Sequence, residues 1–369
     1  MRILIYKKNK LIGTSGGIEK VISWFSGALS KQGHKVFVVT RDVQKGDLFY
    51  PLLPEVKFQQ LPIVFPKWRK LIGKVFKQIL PYFNQDAYVQ KAINQYFSII
   101  QPDVIIATGV SDFIDVCKYT GGGHICKKFI QIHNNPKAAL KKRKKKLYQR
   151  LFQYADGIQV LLPSFVSAVR TYYSGQISVI GNTVLKNDIQ TARQNIIIYV
   201  GRVEPSKRQH LLIEAFAQIH LKYPDWKVHF WGEINVPDYY QKCISLIRQY
   251  NLKECVLFKG RTQQMSQKLA KASICAFPSA AEGFGLALAE SMSAGLPSVG
   301  FRESIGVNEL IHHNHNGLLA TDAMDFVDCL EKLIVNDNLR IQLGENARII
   351  SEQYSSDKIL NAWLNLIEK

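Results

Sequence analysis

Acidic residues are scarce in the first half of this 369-residue chain. Residues 1–185 contain 28 Lys and Arg but only 9 Asp and Glu, a difference of +19, whereas residues 186–369 contain 20 of each. The whole formal charge of +19 therefore lies in one half. A charge segregated in this way predicts that the first half faces a polyanion, either a membrane surface or a nucleic acid.

Long apolar runs and paired cysteines are also missing. No apolar run reaches the roughly 18 residues that cross a bilayer, and the first ten residues lack the apolar stretch of a signal peptide. No C-x-x-C pair occurs, which favours reduced thiols at Cys117, Cys126, Cys243, Cys255, Cys275 and Cys329. The hydrophobic content of 47% is that of a globular protein, and the cytoplasm is its expected location.

Common nucleotide and metal signatures are absent as well. The sequence contains no G-x-G-x-x-G, no Gly-Lys-Ser/Thr of a P-loop and no Asp-x-Asp. The histidines His312, His313 and His315 lie close together, but adjacent histidines point apart on most backbones and no second ligand cluster accompanies them. We therefore expect neither a metal ion nor a cofactor.

The stretch Phe277 to Gly300, FPSAAEGFGLALAESMSAGLPSVG, is the most informative. The apolar run Ile274–Pro278 predicts a buried parallel strand, and Leu286–Ala294 predicts a helix after a glycine loop. Free N–H groups and the dipole at such a helix start favour a phosphate group. The carboxylates of Glu282 and Glu290 flank the loop and can accept hydrogen bonds from neighbouring hydroxyls. Together these features predict a nucleotide-sugar site.

Two cations precede this stretch. The predicted strand Ile196–Val200 leads into Gly201-Arg202-Val-Glu-Pro-Ser-Lys207, which opens a helix. Cations beside a helix N-terminus neutralise the charge that grows on a leaving diphosphate. Arg202 and Lys207 are therefore candidate diphosphate ligands.

The whole arrangement resembles the donor site of retaining glycosyltransferases of family 4, which have the GT-B fold. The family signature E-G-F-G with a second Glu eight residues after the first is matched by Glu282, Gly283, Phe284, Gly285 and Glu290, and its G-R-x4-K element is matched by Arg202 and Lys207. The resemblance implies that Glu290 binds the ribose, that Glu282 binds the sugar, and that the Phe284 and Gly285 N–H groups assist at the sugar or phosphate. One loop departs from the pattern, because residues 302–309 have the expected Glu but lack the usual Gly pair.

The first half begins in a Rossmann-like manner. A strand at Arg2–Tyr6, a glycine loop, a helix and a second strand at Lys35–Thr40 follow one another. In the resembled family this loop lies near the diphosphate and acceptor, which assigns Gly16 and Gly17 to the site, although a plain tight turn has the same pattern. A later strand ends at His133, where the family often has a histidine that lines the donor sugar; a structural histidine is the alternative. The candidate catalytic residues are thus Glu282, His133, Arg202 and Lys207.

Two basic segments bear on the acceptor. Lys67–Phe83 has a helical apolar stripe with cations outside it, which is typical of a membrane-interface helix but also of a helix packed on its own domain. The run KKRKKK requires anionic partners or solvent. The candidate membrane or acceptor residues are Trp68, Arg69, Lys70, Lys74, Lys77, Lys141, Lys142, Arg143, Lys144, Lys145 and Lys146.

The fold class implied by the resemblance is α/β, GT-B, with two Rossmann-like domains facing across a cleft. The predicted divisions are a basic acceptor domain at 1–185, a nucleotide-sugar domain at 186–350 and a C-terminal helix at 351–369 that crosses back to the first domain. The expected activity is metal-independent, retaining transfer of a hexose or N-acetylhexosamine from a nucleotide sugar, with UDP as the expected nucleotide. The expected acceptor is a lipid-linked oligosaccharide or lipopolysaccharide core, met by a peripheral protein at the cytoplasmic face of the inner membrane.

Three other functions remain open at this stage. A transferase with a soluble acceptor and a GT-B sugar-nucleotide epimerase would both use the same donor site. A basic nucleic-acid-binding protein would explain the charge, but it would not require Glu282 and Glu290. No aromatic stacking platform is interleaved with KKRKKK, which makes that third function the weakest.

Overall fold

The computed structural model describes residues 1–61, 85–119, 125–140 and 144–368, and the chain divides into two compact units. The first unit comprises Met1–Ile180 together with Ala362–Lys369, and the second comprises Gly181–Asn361. Most of the candidate interface segment Lys67–Phe83 and the cations Lys141, Lys142 and Arg143 lie outside the described residues, since 62–84 and 141–143 are not described. Among the described helices, none is both long and apolar enough to cross a membrane.

The first unit is built on a parallel sheet in the order β3-β2-β1-β4-β5-β6-β7. In register, Ile5 of the first strand lies between Val38 and Ile106 of its two neighbours. Because both faces of the sheet are covered, the central strands are continuous apolar runs. The strands are β1 (Arg2–Lys7), β2 (Lys35–Thr40), β3 (Lys57–Gln60), β4 (Val104–Ala107), β5 (Lys127–Ile132), β6 (Gly157–Val160) and β7 (Ile177–Val179).

Helices connect these strands. The first helix buries Val21, Ile22, Phe25 and Leu29 at helical spacing, as its sequence predicts, and Gly33 follows its end with a φ of +84°. The described helices of this part are α1 (Gly17–Lys31), α2 (Gln85–Ile100), α3 (Val110–Val116), α4 (Pro136–Ala139), α5 (Lys145–Phe152) and α6 (Phe165–Arg170).

The second unit has a parallel sheet in the order β10-β9-β8-β11-β12-β13. Its core includes Tyr199, which packs against Phe230 and Phe277 with ring centroids 6.0 and 5.2 Å apart. The strands are β8 (Ile196–Val200), β9 (Lys227–Trp231), β10 (Val256–Gly260), β11 (Ile274–Phe277), β12 (Ser298–Phe301) and β13 (Gly317–Ala320). A short 3-10 turn, Pro205–Lys207, precedes the helices α7 (Gln209–Ile219), α8 (Pro237–Gln249), α9 (Met265–Lys271), α10 (Leu286–Ser293), α11 (Ala323–Val335), α12 (Asp337–Arg348), α13 (Ile350–Gln353) and α14 (Ser356–Ile367).

The units divide after Ile180 and Asn361, and not after residues 185 and 350 as the sequence suggested. Hydrogen bonds explain the difference at both places. The Val184 N–H donates to Tyr354 O at 2.9 Å, and the hydroxyls of Thr183 and Ser356 are 3.2 Å apart. Residues 181–185 and the chain around Tyr354 therefore both belong to the second unit.

The end of α14 completes the core of the first unit. The Trp363 ring lies 4.9 Å from the ring of Phe25 in α1, centroid to centroid. Leu366 approaches Gly157 of β6 so closely that a Cβ at Gly157 would lie 3.5 Å from it. The first unit is therefore assembled from both ends of the chain.

Candidate active site

The candidate donor site lies at the carboxyl ends of β8 and β11. In the second sheet the chain order runs outward from β8 to β10 on one side and from β11 to β13 on the other, so β8 and β11 are the adjacent strands at which it reverses. A ligand in an open α/β sheet binds outside the carboxyl ends of strands at such a switch point. The predicted residues Arg202 and Lys207 follow β8, and Glu282 follows β11. The topology thus brings the separate motifs to one edge of the sheet.

The loop after β8 is held by backbone hydrogen bonds. The Val203 N–H donates to Glu233 O at 2.8 Å, and the Asn235 N–H donates to Val203 O at 3.2 Å. Arg202 itself extends outward, with 54% of its side chain exposed and an ion pair to Glu204 at 3.3 Å. A fixed backbone that carries an exposed cation suits an anionic ligand arriving from solvent.

The loop after β11 is fastened to its two neighbours. Its Ala280 N–H donates to Ser206 O at 2.9 Å, in the 3-10 turn after β8. Its Glu282 N–H donates to Ile305 O at 2.8 Å, and the Ser304 hydroxyl donates to Ser279 O at 2.5 Å. These contacts fix Glu282 between the loops that follow β8 and β12.

A glycine permits the contact on the β12 side. Gly306 has a φ of +86°, and a Cβ built on it would lie 2.6 Å from the Glu282 carbonyl oxygen. A side chain at this position would meet both backbone strain and a backbone clash. The sequence showed that the usual Gly pair is missing from residues 302–309; the structure shows that this single glycine supports the Glu282 loop.

Lys207 and Glu282 form an ion pair with each other. The Lys207 Nζ lies 2.7 and 2.8 Å from the two Glu282 carboxylate oxygens, and the side chains are only 15% and 11% exposed. A largely dehydrated pair of this geometry holds both side chains in single conformations. The ammonium and carboxylate are therefore neighbours, so the diphosphate and the sugar that they are predicted to bind would also be neighbours.

The helix α10 supplies the predicted N–H groups. Gly285 is its N-cap in the left-handed conformation, with a φ of +79°, and no side chain caps this helix start. The Phe284 side chain is buried and packs edge-on against Tyr354 with ring centroids 4.8 Å apart, so its ring is structural and only its main chain is available to a ligand. Glu290 lies one turn on from Leu286 and Ala287 along the half-buried face of α10, and Gly283 is also half-buried.

The predicted first-unit residues occupy the carboxyl ends of β1 and β5. Gly16 is the N-cap of α1, and Gly17 is its first residue. The carboxylate of Glu19 reaches back to the helix start, where a Cβ at Gly16 would lie 2.4 Å from its Oε2, and the Glu19 Oε1 pairs with Lys7 Nζ at 3.3 Å. A carboxylate of the protein thus lies at the N-terminus of α1, where the sequence predicted an approaching diphosphate.

His133 follows β5 and is 9% exposed. Its Nε2 lies 3.1 Å from the amide oxygen of Gln131, which is 2% exposed. Burial, followed by the positive charge of Lys7, lowers the pKa of His133 to about 3. The imidazole is therefore neutral at ordinary pH, and it can take part in hydrogen bonds but cannot serve as a cation.

Several supporting residues were not predicted from sequence. They are Lys7 and Glu19 in the first unit and Ser304 and Gly306 in the second. Glu19 had a detectable signal, because it is the third residue of a helix after a glycine N-cap, which is where a carboxylate interacts with free N–H groups. Ser304 had none, since a serine in a polar loop gives no indication of its partner.

The described part of the basic run begins a helix. Lys144, Lys145 and Lys146 are exposed, and α5 begins at Lys145, so this end of the run is a helical turn and not an extended loop. Tyr148 and Phe152 are the buried residues of α5. The cations therefore lie on the outer side of a helix that is packed onto its unit.

The histidine cluster has structural contacts. His313 Nδ1 accepts a hydrogen bond from the Leu319 N–H at 3.0 Å, and the rings of His312 and His315 stack with centroids 6.4 Å apart. Within the described ranges, no group of three His, Cys, Asp or Glu side chains is arranged to hold a metal ion. Any charge that develops on a leaving group in this part of the structure must be met by Arg202, Lys207 and main-chain N–H groups.

Comparisons with known proteins agree with this geometry. Residues 184–349 match the family model described as glycosyl transferases group 1. An uncharacterized glycosyltransferase of Haemophilus influenzae is 25% identical over 367 residues, which cover 96% of this chain and 97% of that protein. The GalNAc-alpha-(1->4)-GalNAc-alpha-(1->3)-diNAcBac-PP-undecaprenol alpha-1,4-N-acetyl-D-galactosaminyltransferase of Campylobacter jejuni is 24% identical over 369 residues, covering 96% of this chain and 95% of that enzyme.

The fold has a solved counterpart. The structure of TarM from Staphylococcus aureus, bound to fondaparinux, alpha-GlcNAc-glycerol and UDP, matches with a TM-score of 0.81 at 19% identity, and the match covers 100% of both chains. The predicted α/β, two-domain GT-B fold is confirmed. The predicted enzyme class is confirmed as well, and the protein is a glycosyltransferase.

Proposed function

We propose that the protein is a family 4 enzyme that moves a hexose or N-acetylhexosamine from a nucleotide sugar, with UDP as the nucleotide, to a membrane-associated saccharide with retention of configuration. The observation that carries this proposal is the meeting of Lys207 and Glu282 at the switch point of β8 and β11. One side chain is suited to a phosphate and the other to hydroxyl groups. Their contact suits the junction of a sugar with a diphosphate.

The roles of the donor-site residues follow from this junction. Lys207 and the exposed Arg202 bind the diphosphate, helped by the free N–H groups at the start of α10. Glu282 accepts hydrogen bonds from sugar hydroxyls, and Glu290 accepts them from the ribose. The charge that grows on the diphosphate as it departs is then stabilised by groups that are already in place.

Retention is achieved in this proposal by departure and attack on the same face. The bond between the anomeric carbon and the phosphate oxygen breaks, and the acceptor oxygen forms its bond to that carbon from the same side. The proton of the acceptor hydroxyl passes to the departing phosphate oxygen. Glu282 is not the nucleophile, since its carboxylate is paired with Lys207. Detection of a glycosyl-enzyme by mass spectrometry would overturn this step.

A lipid-linked oligosaccharide or lipopolysaccharide core is the proposed acceptor. The related enzyme of Campylobacter jejuni is named for an undecaprenol-linked acceptor. The excess of positive charge in residues 1–185 and the exposed cations at the start of α5 favour an anionic membrane surface over a soluble acceptor. The enzyme would then act peripherally at the cytoplasmic face of the inner membrane.

A donor and acceptor panel tests the proposal. Purified enzyme is incubated with a set of nucleotide sugars and membrane lipid extracts, and transfer is followed for the wild type, Glu282→Ala and Lys207→Ala. Each variant is expected to lose on the order of a hundredfold or more in rate, because each lacks a charged contact at the reacting centre. Near-normal rates in both variants would refute the site, and donor consumption without any acceptor would instead indicate an epimerase.

A further inference from the structure

We propose that Gln131 is a positioning residue, which holds His133 as the neutral Nε2–H tautomer so that its Nδ1 accepts a hydrogen bond from a substrate hydroxyl. The inference rests on the proposed function and adds a named device to it. His133 thereby becomes an obligate hydrogen-bond acceptor. It contributes to substrate orientation and does not deliver a proton.

The contact between the two side chains defines the tautomer. Gln131 lies within β5, and His133 lies two residues later, so both side chains point to the same side of the strand. Their Nε2-to-Oε1 distance of 3.1 Å is that of a hydrogen bond, and both residues are buried. Because an amide oxygen can only accept, the imidazole Nε2 must carry the proton. In a neutral ring the Nδ1 then has a lone pair and no hydrogen.

The surrounding charges keep the ring neutral. The cation near His133 is Lys7 at the end of β1, and Lys7 is itself paired with Glu19 of α1 at 3.3 Å. On the neighbouring β4–α3 connection, the buried carboxyl of Asp112 is engaged by the Thr108 hydroxyl at 2.7 Å. The two carboxyl groups on these elements thus have other partners, and burial together with Lys7 opposes a charge on His133.

The sequence of β5 supports a functional reason for Gln131. A glutamine in a buried parallel strand costs free energy unless its amide is hydrogen-bonded, and an apolar residue would be the usual choice. Its partner in register on β6 is a second buried glutamine, Gln159, whose amide nitrogen donates to Ile180 O. Gln159 therefore has a structural contact within the sheet, whereas the printed contact of Gln131 is to the histidine at the strand end.

Because His133 recognises a hydroxyl only by accepting from it, the inference distinguishes two substrate sources. The hydroxyl belongs either to the donor sugar or to the acceptor saccharide. A contact to the donor would raise the KM for the nucleotide sugar when His133 is disabled, and a contact to the acceptor would raise the other KM. The positioning role of Gln131 is the same in both cases.

The test combines nitrogen NMR with kinetics on the full-length enzyme. Histidine-selective 15N labelling reports the tautomer and protonation of each ring, and the His133→Asn variant identifies the signal of His133. In the wild type the Nε2 is expected to be protonated and the Nδ1 unprotonated from pH 5 to pH 8. A protonated Nδ1 in the wild type would overturn the inference, whether or not any sugar is transferred.

Three glutamine variants separate positioning from folding. Gln131→Met keeps the volume but removes the acceptor, and it is expected to give a mixture of tautomers and about tenfold lower kcat/KM. Gln131→Glu replaces the amide by a carboxylate that favours the imidazolium, so a new ionisation should enter the pH profile, with activity recovering at high pH. Gln159→Met is the matched control on the next strand and should leave the His133 signal unchanged and kcat/KM within about twofold.

The outcomes also separate this inference from the proposed function. An unchanged His133 tautomer and unchanged kcat/KM in Gln131→Met would refute the positioning role. An equal loss of kcat/KM in Gln159→Met would show that the effect is structural and would refute it as well. Normal transfer by Glu282→Ala and Lys207→Ala would instead remove the proposed donor site, while the NMR result for Gln131 and His133 would stand on its own.

Discussion

The ion pair of Lys207 and Glu282 leads to opposite predictions for stability and for catalysis. Its two contacts of 2.7 and 2.8 Å join side chains that are 15% and 11% exposed. Removing one partner leaves the other charge largely dehydrated and unpaired, which we expect to cost about 2–3 kcal/mol. For a domain of 150–250 residues this loss corresponds to a decrease in Tm of about 4–12 °C.

The double variant should recover much of this stability. Lys207→Met and Glu282→Gln together leave no unpaired charge, so the coupling free energy of the cycle should be about 2 kcal/mol. Activity should behave differently, because the donor site needs both charges: each single variant and the double variant should all lose transfer. The assay is thermal unfolding of the full chain monitored by fluorescence, paired with transfer rates on the same samples.

A matched control uses an ion pair that solvent reaches. Lys186 and Asp188 are 3.1 Å apart and 70% and 63% exposed, so Lys186→Met should change the free energy of unfolding by less than about 1 kcal/mol. A coupling free energy near zero for Lys207 and Glu282 would show that the pair is not dehydrated, and the reasoning from its burial would fail. Restored activity in the double variant would show that the pair is structural and not part of the donor site.

Three further predictions concern other positions. Gly306→Ala should destabilise the protein by more than Gly33→Ala and should also reduce transfer, since both glycines have positive φ but only Gly306 would place a Cβ 2.6 Å from Glu282 O; equal unfolding temperatures for the two variants would contradict this. His133 has its folded pKa lowered from 6.5 to about 3, so the unfolded chain binds the proton first and stability should fall by about 2 kcal/mol between pH 7 and pH 5, a slope that His133→Asn should remove in urea titrations. Replacing Lys145 and Lys146 by alanine should weaken binding to anionic vesicles by about 30-fold at low salt, because each cation contributes on the order of 1 kcal/mol; sedimentation with neutral vesicles is the control, and unchanged binding would exclude α5 from the membrane surface.

Local pattern was sufficient for most of the fold. The strands β2, β8 and β9 have the bounds that their apolar runs predict, because parallel strands covered on both faces have continuous apolar sequences. The strands β3 and β13 were not predicted. The first, KFQQ, is polar and only partly buried at the edge of its sheet, and the second, GLLA, is a four-residue run that periodicity cannot separate from a loop.

The donor-site residues could be found from sequence, but their mutual contacts could not. Arg202, Lys207 and Glu282 have recognisable types and spacings, and the sheet order then brings them together. Nothing in the sequence indicated that Lys207 pairs with Glu282, since that contact joins residues 75 positions apart. Gly306 and Gln131 were missed for the same reason, because the role of each depends on a neighbour supplied by the fold.

The assembly of the first unit from both chain ends has a consequence for biosynthesis. A ribosome delivers Trp363 and Leu366 among the last residues, so Phe25 and Gly157 wait for their partners until translation is nearly complete. The amino-terminal lobe would remain incomplete during most of that interval, with an apolar groove open to chaperones or to aggregation. A gene fragment that stops at Ile180 would therefore encode a lobe without its closing helix, and adding residues 362–369 as a separate peptide should restore it.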